Sequence, residues 1–146
     1  MKFLDSLQPL ALVLLRGALG IIFITHGYPK LIHGAAMQSF FIEHGLPGYF
    51  VYIGGVVEFF GGGLLILGLF TRGAAMVLTL EMCVAIWRVH SSRGILAVHE
   101  YEFPLMMAVG CFVLAAVGAG LISLDHAIFG SGGGRSRGPR NSGKNR

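Results

Sequence analysis

Four ionisable residues interrupt runs that are otherwise apolar: Arg16 in LALVLLRGALGIIF, Glu58 in YIGGVVEFFGGG, and Glu81 with Arg88 in MVLTLEMCVAIWRV. A charge held in hydrocarbon costs about 3 kcal/mol or more, so such residues turn toward protein, pair with one another and mark proton or ligand paths. Carboxyls at those positions could pass protons, and a guanidinium could hold an ionised carboxylate or a ligand oxygen. His26 and His90 stand at the ends of the same runs, and an imidazole changes charge near neutral pH. The segment His26-Gly27-Tyr28-Pro29-Lys30 is the densest polar element. In it Tyr28 has the type of an interfacial anchor, and Lys30 the type that reaches out to headgroups.

The elements that must position these residues follow from composition. Of 146 residues 54% are hydrophobic and only 12% charged, against about 25% charged in a soluble domain. A chain this short cannot hide so much apolar surface from water, so lipid is its expected solvent. The reading is an all-α, polytopic membrane four-helix bundle over residues 1–126, with spans at about 9–26, 49–70, 73–89 and 103–122. Pro9 and Pro104 are placed in the first turns of their spans, where a missing N–H costs nothing. Gly27, Pro29 and Gly34 are expected to break the chain after the first span. The loop 28–48 has room for a short amphipathic helix around Met37–Glu43, and Thr71-Arg72 joins spans two and three as a tight hairpin. The N-terminal run carries no A-x-A-like cleavage site and is read as an uncleaved span.

Basic residues orient the bundle. Lys2, Arg72 and five cations of the tail (Arg135, Arg137, Arg140, Lys144 and Arg146) share one side; Lys30, Arg88 and Arg93 belong to the other. This places both termini in the cytoplasm. Residues 131–146 are glycine- and serine-rich, basic and without apolar side chains, a composition that stays disordered.

Depth along the helices, at about 1.5 Å per residue, puts Arg16 at roughly 10 Å from the cytoplasmic edge, Glu81 at roughly 12 Å, Glu58 at roughly 18 Å and Arg88 at roughly 22 Å. Two pairs are expected, Arg16 with Glu81 and Glu58 with Arg88, with Glu81 and Arg88 on one face of the third span because they are seven apart. Glycines Gly54, Gly55, Gly61, Gly62, Gly63 and Gly68 thin the second span, which allows close helix approach and leaves space for a flat ligand. The candidate polar site is therefore Arg16, His26, Glu58, Glu81 and Arg88, with Lys30, Gly55, Gly62 and Glu102 as candidate cofactor-binding positions. Histidines His26, His33, His44, His90 and His99 gather with Glu43, Glu100 and Glu102 at the outer rim, but no pair has the i, i+4 spacing of a strong metal motif, and no metal is expected. Cys83 and Cys111 form no C-x-x-C and read as buried small hydrophobes.

Taken in order, several pieces resemble the DoxX family of small bacterial membrane proteins: Arg16 with Gly20, then His26-Gly27-x-x-Lys30, Gly55-x-x-Glu58-x-x-Gly61-Gly62, Gly68-Leu69-Phe70-Thr71-Arg72, Glu102-Phe103-Pro104-Leu105, and Gly118-x-Gly120-x-x-Ser123-Leu124-Asp125. The resemblance covers nearly all of residues 10–126 and excludes the basic tail. It implies a four-helix membrane bundle. Relatives of that family include a subunit of a thiosulfate:quinone oxidoreductase and members linked to oxidative-stress complexes, while no agreed catalytic residues come with the family. The expectation is a redox-associated subunit that binds a quinone-like molecule, with Glu58 and His26 handling protons and Arg88 steadying a quinone oxygen or the ionised Glu58. The chain has no recognisable flavin, haem or iron–sulfur motif, so a membrane or peripheral redox partner must supply the electrons. The alternatives are a non-enzymatic membrane scaffold or assembly partner and a small proton-linked transporter, the latter as a homo-oligomer. No nucleic-acid partner is expected.

Overall fold

The structure, a computed structural model, describes residues 2–90 and 98–130; the basic tail and the expected loop cation Arg93 lie outside them. The described residues form helices and no strand: α1 (Lys2–Ile32), α2 (Gly34–Glu43), α3 (Phe50–Leu67), α4 (Thr71–Ala85) continued by a π-helical turn (Ile86–His90), α5 (Val98–Val117) and a short α6 (Leu124–Phe129). Among the described residues three helices are long and apolar enough to cross a membrane: Ser6–Ile32 within α1, α3 and α5. Helix α4 with its π-helical turn adds a fourth rod of comparable length, and α1, α3, α4 and α5 make the bundle. Large apolar side chains such as Leu14, Phe60, Trp87 and Met106 point outward, more than 60% exposed. In water such a surface would aggregate; in a bilayer it is solvated.

The first helix is longer than its sequence suggests. Pro9 and Pro29 both lie inside α1 rather than at its start and beyond its end. Each proline loses one backbone hydrogen bond, and packing against neighbouring helices offsets that loss in a membrane protein. For Pro29 the packing is visible. Gly27, expected as a breaker, is a contact point: a Cβ there would lie 2.6 Å from the Phe59 nitrogen and 2.8 Å from the Gly55 carbonyl of α3. One heptad earlier, Gly20 meets Gly62 in the same way, each blocking a Cβ on the other at 2.6 Å. Glycines seven apart return to the same helix face, so α1 and α3 touch backbone to backbone at two levels as an antiparallel pair.

The core lies between these helices and the α4–α5 pair. Leu12, Leu19 and Phe23 of α1 and Leu65 of α3 meet Leu78 and Met82 of α4 and Met107, Cys111 and Leu114 of α5. Cys111 is buried as expected, whereas Cys83 faces outward. Thr79, also buried, donates its hydroxyl to the Ala75 carbonyl of its own helix at 2.7 Å.

One end of the bundle is tied by caps. Helix α3 stops at Gly68, whose φ of 67° is left-handed; Gly68 N–H donates to the Leu65 carbonyl and Leu69 N–H to the Leu64 carbonyl, the Schellman pattern. Phe70 is also left-handed, at φ 49°, a conformation that costs a non-glycine residue energy unless neighbours hold it. Asp125 of α6 holds it, accepting from Phe70 N–H at 2.7 Å and Thr71 N–H at 2.9 Å. The fourth span, expected to run to Ile122, ends at Val117, because Gly118 and Gly120 take φ of 92° and 80°. Ser123 then caps α6 by accepting from His126 N–H at 3.1 Å. Losing the Asp125 carboxylate in Asp125→Ala lowers thermal stability by about 1–2 kcal/mol, measured as a shift in unfolding of the detergent-solubilised protein.

Candidate functional site

The ionisable residues of the spans fall into two groups at different heights. The first is at the capped end. Arg16 is 4% exposed and donates from Nη1 to the Ala119 carbonyl and from Nη2 to the Ile122 carbonyl, both at 2.7 Å. A Cβ on Gly68 would collide with its guanidinium, and Asp125 is its electrostatic neighbour. The expected Arg16–Glu81 pair does not form. Two carbonyls of the turn that follows α5 take the terminal guanidinium nitrogens instead, while Nε is buried with no hydrogen-bond partner among the described residues. Arg16 thus locks the middle of α1 to the segment between α5 and α6. Charged hydrogen bonds contribute roughly 1.5–3 kcal/mol each, so Arg16→Gln lowers stability by about 3 kcal/mol and Arg16→Lys, with one point donor, recovers only part; unfolding in a denaturing detergent titration reads both.

The second group lies deeper, between α1, α3 and α4. Glu58, at the middle of α3 and 3% exposed, forms an ion pair with Lys30 of α1, Nζ to Oε2 at 2.7 Å. The expected Glu58–Arg88 pair is replaced by this one, because α1 continues through Pro29 and carries Lys30 onto the α3 face. The Lys30 stem packs where a Gly55 side chain would stand, 3.0 Å from that virtual Cβ, so the ammonium reaches inward and not to headgroups. Glu81 of α4 completes the group. A Cβ on Gly54 would lie 3.0 Å from Glu81 Oε1 and 3.9 Å from Lys30 Nζ, and Glu81 has both Glu58 and Lys30 as electrostatic neighbours. Its other oxygen, Oε2, is buried with no hydrogen-bond partner among the described residues.

Other expected members stand apart. Arg88 is exposed and stacks on Trp87, 4.7 Å from the ring centroid, near Gly45. The π-helical turn explains this: the wider i→i+5 turn breaks the seven-residue register that would place Arg88 under Glu81. The His26 ring bonds its own helix through Nδ1 and the Ile22 carbonyl at 2.9 Å, and tilts against Phe103 of α5 at 5.4 Å. Glu102 is exposed. Gly62 and Gly55 leave no slot for a flat ligand, since Gly20 with Ile24 fills the first and Lys30 with Leu31 the second. Of the rim residues, His99 and Glu100 pair at 3.6 Å on the surface; among the described residues no three His, Cys, Asp or Glu side chains converge as a ligand set for a metal.

A cavity of about 580 Å³ lies at the capped end beside Arg72, Gly118, Ser123 and Asp125. Two of its polar side chains are already engaged: Asp125 accepts from Phe70 and Thr71, and Ser123 accepts from His126 and donates to the Gly120 carbonyl. Chemistry therefore points to the Lys30–Glu58–Glu81 group, where one ammonium faces two carboxyls and a carboxyl oxygen remains unsatisfied.

Most of the pieces that carry the family resemblance sort onto these two groups. The DoxX family profile matches residues 11–91. The chain belongs to the DoxX family. Curated relatives of this DoxX protein include "Putative oxidoreductase CatD" of Bacillus subtilis, 31% identical over 117 residues that cover 80% of the chain and 86% of the relative. An uncharacterised protein of Haemophilus influenzae is 33% identical over 88% of the chain and 98% of its own length. The inner membrane protein YqjF of Escherichia coli is 25% identical over 86% of the chain and 97% of its own length. No solved structure matches the chain. Arg16, the Gly68–Arg72 segment and the Gly118–Asp125 segment build the capped end of this DoxX protein, whereas Gly27 and Lys30 meet Gly55 and Glu58 at the deeper group.

Proposed function

We propose that this DoxX protein is a redox-associated membrane subunit that binds a quinone-like molecule at the Lys30–Glu58–Glu81 group. The observation that carries the reading is the Glu81 carboxyl, buried beside a buried ion pair with Oε2 unpartnered. A buried polar atom without a partner costs about 1–3 kcal/mol, and a ligand that supplies the partner recovers it. A quinone carbonyl oxygen has only acceptor lone pairs, so a carboxyl here binds it by donating the proton it carries. The oxidoreductase name given to CatD supports a redox setting. Reduction of a quinone takes up two electrons and two protons; a partner supplies the electrons, and the carboxyls supply a proton station. Both termini are assigned to the cytoplasm by the distribution of Lys and Arg, which reporter fusions after Phe129 test.

The test is direct. The protein purified in lipid nanodiscs retains quinone in its lipid extract and binds added ubiquinone or menaquinone, and Glu81→Leu, which has no donor, weakens that binding about tenfold, the equivalent of one hydrogen bond. A wild-type sample that neither retains nor binds either quinone removes the reading.

A further inference from the structure

An apolar groove runs along the outside of the α3–α4 pair, and Glu81 lies one helical turn beyond its lining on the α4 side. The groove, about 290 Å³, is walled by Val57, Gly61 and Leu64 of α3 and by Gly73, Ala74 and Val77 of α4. Residues three and four apart share a helix face. One turn beyond Val57 on that face is Gly54, and one turn beyond Val77 is Glu81. Gly54 and Glu81 face each other, since a Gly54 Cβ would touch Glu81 Oε1 at 3.0 Å. The two walls of the groove therefore lead to the carboxyl whose Oε2 is buried and unpartnered among the described residues. Groove and carboxyl lie along one line, apolar over its length and polar at one end. Val77 and Phe60 beside it are exposed on the bilayer-facing surface, so the approach is from lipid and not from water.

We infer that this groove seats the isoprenoid tail of a quinone whose ring oxygen reaches Glu81, so that the ligand enters sideways from the bilayer between α3 and α4. The inference rests on the quinone reading above and adds the part of the molecule that the polar group alone does not specify. A phospholipid fits less well: its polar head belongs at the bilayer surface, whereas the unpartnered oxygen lies about ten residues, or roughly 15 Å, into α4. A tailed quinone keeps its polar ring within the hydrocarbon and its chain along the groove.

Substitutions that fill the groove test this without touching the polar group. A Cβ on Gly73, which lines the groove, would meet nothing within 4 Å, so Gly73→Leu adds bulk there without a backbone clash; Val77→Phe, at an exposed position, is the second variant. Binding of a long-tailed ubiquinone and of its tail-less benzoquinone head is measured on each protein in nanodiscs, with concentrations expressed per lipid. The expected result is that either groove variant weakens the long-tailed quinone about tenfold, leaves the tail-less head unchanged and unfolds at the wild-type temperature. Equal binding of the long-tailed quinone by wild type and both variants overturns the groove while the polar site stands. Loss of a co-purifying phospholipid in the variants, with quinone affinity unchanged, assigns the groove to an acyl chain and overturns the inference. Failure of the wild type to bind either probe removes the polar site and the groove together.

Discussion

Replacing Lys30 by Met lowers the stability of the bundle by about 3–5 kcal/mol, the loss expected when one partner of a buried ion pair is removed. The reason is geometric. Glu58 lies at the centre of α3 with 3% exposure, too short and too deep to find water once its ammonium is gone. The reciprocal change, Glu58→Gln, costs visibly less. Lys30 is near the end of α1, its side chain is 23% exposed, and its flexible stem can carry the ammonium out to headgroups. Chemical unfolding of both variants in one lipid or detergent system measures this asymmetry. Equal losses would mean that Lys30 is as confined as its partner, and a negligible loss for Lys30→Met would mean that Glu58 is satisfied by something else.

A second large effect is expected at the α1–α3 crossing. Gly62→Leu places a branched side chain where the Gly20 carbonyl already stands 2.6 Å from the first added carbon. Overpacking of a soluble core costs about 1–3 kcal/mol, but here the obstacle is backbone and cannot rotate away. The helices must separate, and their separation also pulls Lys30 from Glu58. The variant therefore fails to yield a folded monomeric bundle, or yields one with a loss beyond that range. Gly63→Leu is the control, since an added carbon there meets nothing within 4 Å; it lies one residue away and unfolds as wild type does. Thermal unfolding followed by circular dichroism separates the two. Similar behaviour of both variants would contradict the backbone contact.

The all-helical membrane fold, the hairpin between α3 and α4 and a short helix between the first two long helices were legible in the sequence, because hydrophobic runs and glycine-proline punctuation report directly on what lipid will accept. The pairing of charges was not. Depth counted from Pro9 and Gly73 assumes that charges seek charges at equal height. Arg16 finds carbonyls, which no residue type announces; they are available only because Gly118 and Gly120 end α5 early. Lys30 was assigned outward because Pro29 was read as the end of a helix, yet the close packing of Gly27 on α3 carries α1 past it. The seven-residue link from Glu81 to Arg88 fails because a π-helical turn lies between them, and that turn has no signature in IWRVH. The heptad spacing of Gly20 and Gly27 against Gly55 and Gly62 was present in the sequence and could have given the α1–α3 register, and with it the Lys30–Glu58 pair. Asp125 could likewise have been read as a cap, but its partners are more than fifty positions away.

The account turns on Lys30 and Glu58 forming one polar group with Glu81, separate from the Arg16 lock. A double-mutant cycle measures that separation most directly, comparing Lys30→Met with Glu58→Gln and, in parallel, Arg16→Gln with Glu58→Gln in the same bilayer. The account predicts a coupling of about 1–3 kcal/mol between Lys30 and Glu58, and additivity within about 0.5 kcal/mol between Arg16 and Glu58. Additive losses for Lys30 and Glu58, or a coupling of Glu58 to Arg16 of that size, would contradict it.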